Sequence, residues 1–420
     1  MNQVLHTKAK VFFKTFGCRT NIYDTQIMIE NLKDFDLVNL ESEADIIVVN
    51  SCTVTNGADS SVRAYITKQN SLGKKVFLAG CGALSKGEEL FKQNRLFGVF
   101  GHSEKENINN LLFSKSPFLK IGDLNFIDKT IVDSYEGKCK AYIKIQEGCN
   151  FSCSYCIIPT VRGKSRSQEQ IKILEQIKNL ANNGYGEFVL TGTNIGSYGK
   201  DKNSSLGELL KNISKIKGVR RVRLGSIEPV QIDESFREIL KESWLERHLH
   251  IALQHTNEDM LKIMRRRNSV KNDLELFYEL EELGYALGSD FIVGHPGEDE
   301  GIYEDAKKKI EEFPLTHLHA FCFSPRSGTY SASLEQEVDG NTAKQRLKEI
   351  TQIVKNKNIV FRNKNKVPLI VLIEEKKDGF YTGYDQFYNR IFVTCKEDIT
   401  KEWITIKDYV VKEEGNYAIF

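Results

Sequence analysis

Three times in the first hundred residues, a short β-branched and aromatic run ends in a small or polar residue and then cysteine. The runs are Val11-Phe12-Phe13 up to Gly17-Cys18, Ile46-Ile47-Val48-Val49 up to Ser51-Cys52, and Val76-Phe77-Leu78 up to Gly80-Cys81. Helix-like stretches follow the first two, at Asp24 to Leu32 and Asp59 to Gln69. Strand–helix units at this spacing predict a doubly wound parallel sheet with right-handed crossovers. Ligands of such sheets gather beyond the carboxyl ends of the strands. Cys18, Cys52 and Cys81 are therefore expected along one edge, despite their distance in sequence.

Beyond a mixed, partly extended connection from Phe113 to Glu136, alternation resumes. Ala141–Gln146, Phe188–Leu190, Arg221–Leu224, His248–Leu253 and Asp290–Val293 read as strands. Glu169–Asn182, Ser205–Ile216, Asp233–Lys241, Glu258–Met264, Lys271–Leu283 and Glu300–Phe313 read as helices between and after them. Repeated βα units of this kind predict an α/β barrel, complete or partial. A long polar helix is expected after Asn341. From Val367 the pattern changes to short β-prone runs separated by charged turns, which suits a small all-β domain of barrel type. The expected organisation is α/β: a parallel-sheet domain over 1–112, a linker over 113–134, a partial (β/α) barrel over 135–364 and the all-β domain over 365–420.

Composition narrows the setting. The 420 residues carry a formal net charge of +2, which argues against a uniformly basic nucleic-acid coat while leaving room for local patches. No apolar run approaches the roughly 18 residues of a membrane span, and no secretory leader is visible, so a cytoplasmic protein is expected. In that compartment, clustered cysteines read better as metal ligands or catalysts than as disulfides. The eight histidines show no metal-site spacing, and Cys139, Cys322 and Cys395 have no partner pattern.

Cys149-Asn150-Phe151-Ser152-Cys153-Ser154-Tyr155-Cys156 directly follows a predicted strand. Three thiolates so close on one loop can converge on one metal centre. Three ligands on a four-iron cluster leave one iron open, as catalytic zinc sites keep a free position. Tyr155 is placed to shield such a cluster from water. A zinc knuckle more often pairs two Cys-x-x-Cys halves, and no second half is nearby. The CxxxCxxC loop after a first barrel strand resembles the radical S-adenosylmethionine (SAM) superfamily. That resemblance implies SAM bound at the open iron and its reductive cleavage to methionine and a 5′-deoxyadenosyl radical.

Further motifs resemble the methylthiotransferases within that superfamily. They include Thr15-Phe16-Gly17-Cys18 with Asn21 and Asp24, Asn50-Ser51-Cys52-Thr53-Val54-Thr55, and Gly80-Cys81-Gly82. The likeness implies a second 4Fe–4S cluster on Cys18, Cys52 and Cys81, which carries the sulfur to be transferred. The stretch from Arg162 to Ser167 follows the cluster loop as it does in that family. Leu190 to Gly199, Ser226-Ile227-Glu228-Pro229, His250 to Gln254 and Asp290 to Glu298 match its later strands. The family usually continues Ser-Gly after the glutamine, where His255-Thr256 stands here. The matches imply a catalytic loop of Cys149, Cys153 and Cys156, with SAM contacts from Tyr155, Thr191, Gly192, Asn194, Ser226, Glu228 and Gln254. Gly383-Tyr384-Asp385-Gln386-Phe387-Tyr388 resembles the TRAM RNA-binding domain, where aromatics beside basic side chains bind nucleic acid. Lys355, Lys357, Arg362, Lys364, Lys366 and Arg265-Arg266-Arg267 are the accompanying basic candidates.

The family branch most resembled acts on N6-threonylcarbamoyladenosine at position 37 of tRNA. It implies a tRNA anticodon stem-loop as partner, two 4Fe–4S clusters and SAM as cofactors, and a separate electron donor and sulfur donor. Isopentenyl-adenosine in tRNA or a ribosomal-protein aspartate are the alternative substrates. A non-enzymatic iron–sulfur RNA-binding protein is the distant alternative.

Overall fold

A computed structural model describes residues 8–135, 137–336 and 338–420. Strands β1 (Lys10–Thr15), β2 (Asp36–Leu37), β3 (Ile46–Ser51), β4 (Lys75–Gly80), β5 (Gly98–Phe100) and β6 (Phe118–Lys120) form one sheet in the order β2-β1-β3-β4-β5-β6. Every pairing is parallel. All six residues of β3 are buried, as expected of a parallel strand covered on both faces. Val48 packs with Met28 of α1 (Arg19–Glu30), while Ile47 and Val49 pack with Val62 and Ile66 of α2 (Asn56–Ser71). The sheet is thus wound on both sides. The short helices α3 (Cys81–Ser85), α4 (Gly87–Lys92) and α5 (Ile108–Leu112) complete this part.

The second part is a partial barrel. Its parallel strands are β7 (Lys140–Glu147), β9 (Glu187–Gly192), β10 (Arg221–Leu224), β11 (His248–His250), β12 (Ala286–Val293) and β13 (Leu315–Cys322), with β8 (Arg166–Ser167) antiparallel beside β7. Single bridges at Val222–Leu245 and Ile227–Ile251 join the two sheets, β10-β9-β7-β8 and β11-β12-β13. The helices are α6 (Ile158–Arg162), α7 (Gln170–Asn182), α8 (Leu206–Ile213), α9 (Glu234–Arg237), α10 (Glu258–Ile263), α11 (Val270–Glu282), α12 (Glu300–Glu312) and α13 (Gly340–Lys364). One large core of Ile, Leu, Val and aromatic side chains runs between the strands and these helices. β13 has no counterpart in the sequence reading, because Thr316, His317 and His319 interrupt its apolar pattern. Among the described residues no helix is long and apolar enough to cross a membrane.

The tail folds as β14 (Leu369–Lys377), β15 (Phe380–Tyr384), β16 (Arg390–Thr394), β17 (Trp403–Ile406), β18 (Val410–Lys412) and β19 (Gly415–Ile419), in one sheet with its own apolar core. Its turn after β15 docks under the amino ends of the barrel strands. Arg221 donates to the carbonyls of Ile370 and Tyr384, and Arg223 to that of Asp385. Tyr388 stacks on Tyr384 and on His248, with centroids 4.8 and 5.1 Å apart. These tyrosines were expected to face RNA; they face the barrel instead.

Glu187 ties the two arginines together at this junction. Burial alone would raise its carboxyl pKa, but Arg223 and Arg221 more than offset that and hold it at about 2. A carboxyl with a lowered pKa adds stability that is complete above its unfolded value and lost as pH falls through the folded one. Between about pH 4.5 and 2 the wild-type chain is expected to lose roughly 3 kcal/mol from this group. Urea denaturation of wild type and Glu187→Gln across that range checks it: the difference between them should shrink as pH falls, and a constant difference contradicts the assignment.

Candidate functional site

The three amino-terminal cysteines stand at the carboxyl ends of adjacent strands. Cys18 follows β1 and caps α1, Cys52 follows β3, and Cys81 opens α3 after β4. Gly17, at φ +95°, makes the approach possible: a Cβ there would lie 2.5 Å from Cys52 Cβ and 2.9 Å from its Sγ. Burial pushes the Cys81 thiol up to about 11 despite the neighbouring Arg162, with Cys18 and Cys52 adding to the rise. Burial also raises Cys52, with Cys18 adding. Two buried thiols that a neighbouring thiolate raises further suit a shared cation.

The barrel loop behaves alike. Burial pushes Cys156 up to about 12, with Cys153 and Cys149 adding, and raises Cys153. Yet N–H donors converge on these sulfurs. The Phe151 amide lies 3.4 Å and Asn194 Nδ2 3.5 Å from Cys149 Sγ, and an Arg266 guanidinium nitrogen lies 3.7 Å from Cys153 Sγ. Donors aimed at sulfur favour the anionic form, which a protonated thiol does not need. All nine cysteines are free. Each trio thus fits a cationic iron–sulfur centre, on the chemistry of its donors.

One guanidinium links the amino-terminal trio to the strand that leads into the barrel loop. Arg162, at the end of α6 and 2% exposed, donates from Nε to Cys81 Sγ at 3.2 Å. Its other nitrogens reach Glu147 Oε1 at 2.6 Å, Asn21 Oδ1 at 2.6 Å and Asp24 Oδ2 at 3.0 Å. Glu147 ends β7, two residues before Cys149. Around it lie Lys105 and Lys144 on Asp24 and Asp128, and Arg166 on Glu147. His102 is held neutral, its pKa lowered to about 3 chiefly by burial. Four cations therefore face three carboxylates. The surplus positive charge lies beside Cys81, where anionic sulfur would balance it.

The remaining expected contacts line the carboxyl ends of the barrel strands. Thr191 Oγ1 lies 3.2 Å from Thr20 Oγ1, and the Gly192 carbonyl accepts from the same Thr20, so both meet α1. Asn194 is anchored by its amide on Gln146 Oε1 at 2.8 Å, and its Oδ1 is buried without a partner. Ser226 donates to Asp290 Oδ2 at 3.5 Å. Glu228 is bound by two nitrogens of Arg266. Gln254 turns through φ +67° beside Asp290. The residues after it leave the lumen: His255 stacks on Phe291 and Thr256 donates to the Ala306 carbonyl. Tyr155 sits edge-on to His295 at 6.4 Å, over the cluster loop.

Spacing did not suggest two further groupings. Arg266 was a candidate RNA contact, but its side chain is 1% exposed and spent on Glu228 and Cys153. Lys357 is likewise spent, on carbonyls at the end of α12, and Arg362 on Asn358 and Asn416. The histidines, unremarkable in sequence, gather across strands: donor atoms of His250, Asp290 and His319 lie within 4.8 Å of one another. Register explains it, since β12 lies between β11 and β13 with Asp290 opposite His319.

A thiolate loop at the mouth of a six-stranded partial barrel defines a radical SAM enzyme. The family model described as "Radical SAM superfamily" matches residues 143–310, and "Uncharacterized protein family UPF0004" matches 10–101. A Helicobacter pylori (strain J99) chain, named only provisionally as a methylthiotransferase, is 50% identical over 98% of this chain and 100% of its own. The threonylcarbamoyladenosine tRNA methylthiotransferases MtaB of Bacillus subtilis and Aquifex aeolicus are 31% and 32% identical, over 95% and 88% of this chain and 93% and 94% of theirs. The chain therefore belongs to the radical SAM methylthiotransferases of MtaB type, and it is a transferase. Membership brings SAM and iron–sulfur chemistry with it. Among solved structures, the radical SAM methyltransferase TsrM of Kitasatospora setae superposes with TM-score 0.60 at 14% identity, over 77% of this chain and 74% of its own, a likeness of fold.

Removing the Arg162 side chain takes one hydrogen bond each from Glu147, Asp24 and Asn21, while Lys105, Lys144 and Arg166 still pair the carboxylates. Arg162→Met is expected to cost about 1–3 kcal/mol, read as a lowered urea midpoint, and Arg162→Lys less. An unchanged midpoint in Arg162→Met would show that the bridge is dispensable.

Proposed function

We propose that this protein converts N6-threonylcarbamoyladenosine at position 37 of tRNA to its 2-methylthio derivative, in the cytoplasm, with two 4Fe–4S clusters and SAM. The observation that carries this reading is a cysteine trio at the strand ends of each part, with Arg162 bridging Cys81 to Glu147, two residues before Cys149. The MtaB relatives support the substrate. A relative from Halalkalibacterium halodurans named tRNA-2-methylthio-N(6)-dimethylallyladenosine synthase, 30% identical, keeps the isopentenyl-type base as the second reading.

Cys149, Cys153 and Cys156 would hold one cluster, and Cys18, Cys52 and Cys81 the other, each with one iron free of protein. When bound, these groups and SAM supply one-electron cleavage of SAM together with the sulfur and methyl to be transferred. The chain's own part is positioning and electrostatics. Asn194 and Arg266 donate to Cys149 and Cys153, and Arg162 to Cys81, contacts that would favour the anionic sulfur that ligation needs. The Thr20–Thr191 contact ties the start of α1, just after Cys18, to the end of β9. The Tyr388 turn closes the lumen at the amino ends of the strands and limits water there. An unpaired base beside the anticodon can be splayed into such a cavity. Exposed Lys355, Lys364 and Lys366 remain available to the RNA backbone.

Three outcomes test the reading. tRNA from a deletion strain is expected to lack 2-methylthio-N6-threonylcarbamoyladenosine by nucleoside mass spectrometry; an unchanged level refutes the substrate. Cys153→Ala should retain tRNA binding in gel shifts but form no 5′-deoxyadenosine from SAM and a reductant. Cys52→Ala should keep about half of the reconstituted iron and still cleave SAM, since the barrel trio is intact. Full iron in Cys52→Ala means that the amino-terminal trio holds no cluster.

A further inference from the structure

The reading above places the base in the barrel lumen but leaves open which residue recognises its N6 arm. Arg19 follows Cys18 in the chain and turns away from the sheet edge into the barrel. Its guanidinium donates to Tyr388 Oη at 2.6 Å and approaches the Leu224 carbonyl at the end of β10 at 3.5 Å. No carboxylate lies within ion-pair distance of it among the described residues. The other barrel arginines differ: Arg221 and Arg223 share Glu187, and Arg266 holds Glu228. A half-buried guanidinium without a counter-charge is costly unless an anion joins it.

The surroundings favour an anion too. Tyr388, which receives Arg19, stacks on His248, whose Nε2 is buried and has no hydrogen-bond partner among the described residues. That nitrogen is directed over the lumen face of β12, where a Cβ on Gly288 would stand 2.9 Å from it. Glu246, the acid whose charge Arg19 feels, is already held by Arg223 at 2.8 Å and the Leu224 amide at 2.6 Å, and Asp290 by His250 at 3.1 Å, His319 at 3.7 Å and Ser226. Neither acid forms an ion pair with Arg19. Arg19, without an ion-pair partner, and His248, with an unpaired Nε2, thus flank Tyr388 from two sides among the described residues.

We propose that this corner of the barrel is a carboxylate site, in which Arg19 binds the free carboxylate of the N6 substituent of the base, with Tyr388 and His248 beside it. The proposal rests on the threonylcarbamoyl reading of the substrate and deepens it. A guanidinium matches a carboxylate in shape as well as charge. Anchoring the N6 arm leaves C2, on the far side of ring nitrogen N1, free to face the reacting groups. An isopentenyl arm has no acid for Arg19, so the same contact would discriminate between the two bases by leaving the cation unpaired.

The test uses cluster-reconstituted enzyme and anticodon stem-loop RNAs whose threonylcarbamoyl group is either the free acid or its methyl ester. Wild type is expected to bind the acid roughly tenfold to a hundredfold more tightly by fluorescence anisotropy. Arg19→Met, with its iron content matched to wild type, should bind both RNAs at the ester's affinity, and Arg19→Lys should recover part of the preference. Equal binding of acid and ester by wild type, with the acid still converted, overturns the site and leaves the substrate reading intact. Conversion of isopentenyl-adenosine RNA with neither threonylcarbamoyl form bound overturns both. The wild-type comparison stands even if Arg19→Met fails to fold.

Discussion

The structure depends on the buried ion cluster between α1 and β7. Asp24, Asp128 and Glu147 meet Lys105, Lys144, Arg162 and Arg166 with almost no solvent. Charges so deep are tolerated only when every one is paired, because desolvation costs several kcal/mol per ion. Removing either face therefore strands charge on the other. The amino-terminal sheet and the barrel are bound by this condition as much as by apolar contact. It also accounts for the burial of Asn21 and Asp24 on α1, both reached by Arg162.

The same cluster sets the chemistry of the site. Its extra positive charge falls beside Cys81, and its Glu147 lies at the end of the strand that launches Cys149. Two sulfur trios from separate folding units thus come under one electrostatic constraint. In a family that uses SAM and iron–sulfur chemistry, such a constraint links the two parts of the chain that carry the clustered cysteines. Placement of this kind is most of what the protein contributes to cofactor chemistry.

The carboxy-terminal sheet contributes differently from the usual picture of an RNA-binding appendage. Its turn at Asp385–Asn389 is held by the Asp385 carboxylate, which accepts from the amides of Phe387 and Asn389. That turn carries Tyr388, at φ +63°, up to His248 and Arg19. The lumen is therefore built from all three parts of the chain. Aromatic residues that look suited to stacking on bases instead close the barrel from below.

The run-to-cysteine pattern, the CxxxCxxC loop and the βα alternation were enough to predict the doubly wound sheet, the partial barrel and the strand-end position of all six cysteines. These are local properties, because hydrophobic period and turn residues act over a few positions. Pairings over long separations were not legible: Arg162 with Asn21 and Asp24, Arg19 with Tyr388, His250 with Asp290 and His319. A polar residue that will be buried against a distant partner has the same local signature as one left in water. The amino-acid order alone determined which elements form and which edge carries sulfur. Only the packing of one unit on another decided which charges are paired and which cation is left waiting for a ligand, since desolvation acts on the assembled interior and not on the chain.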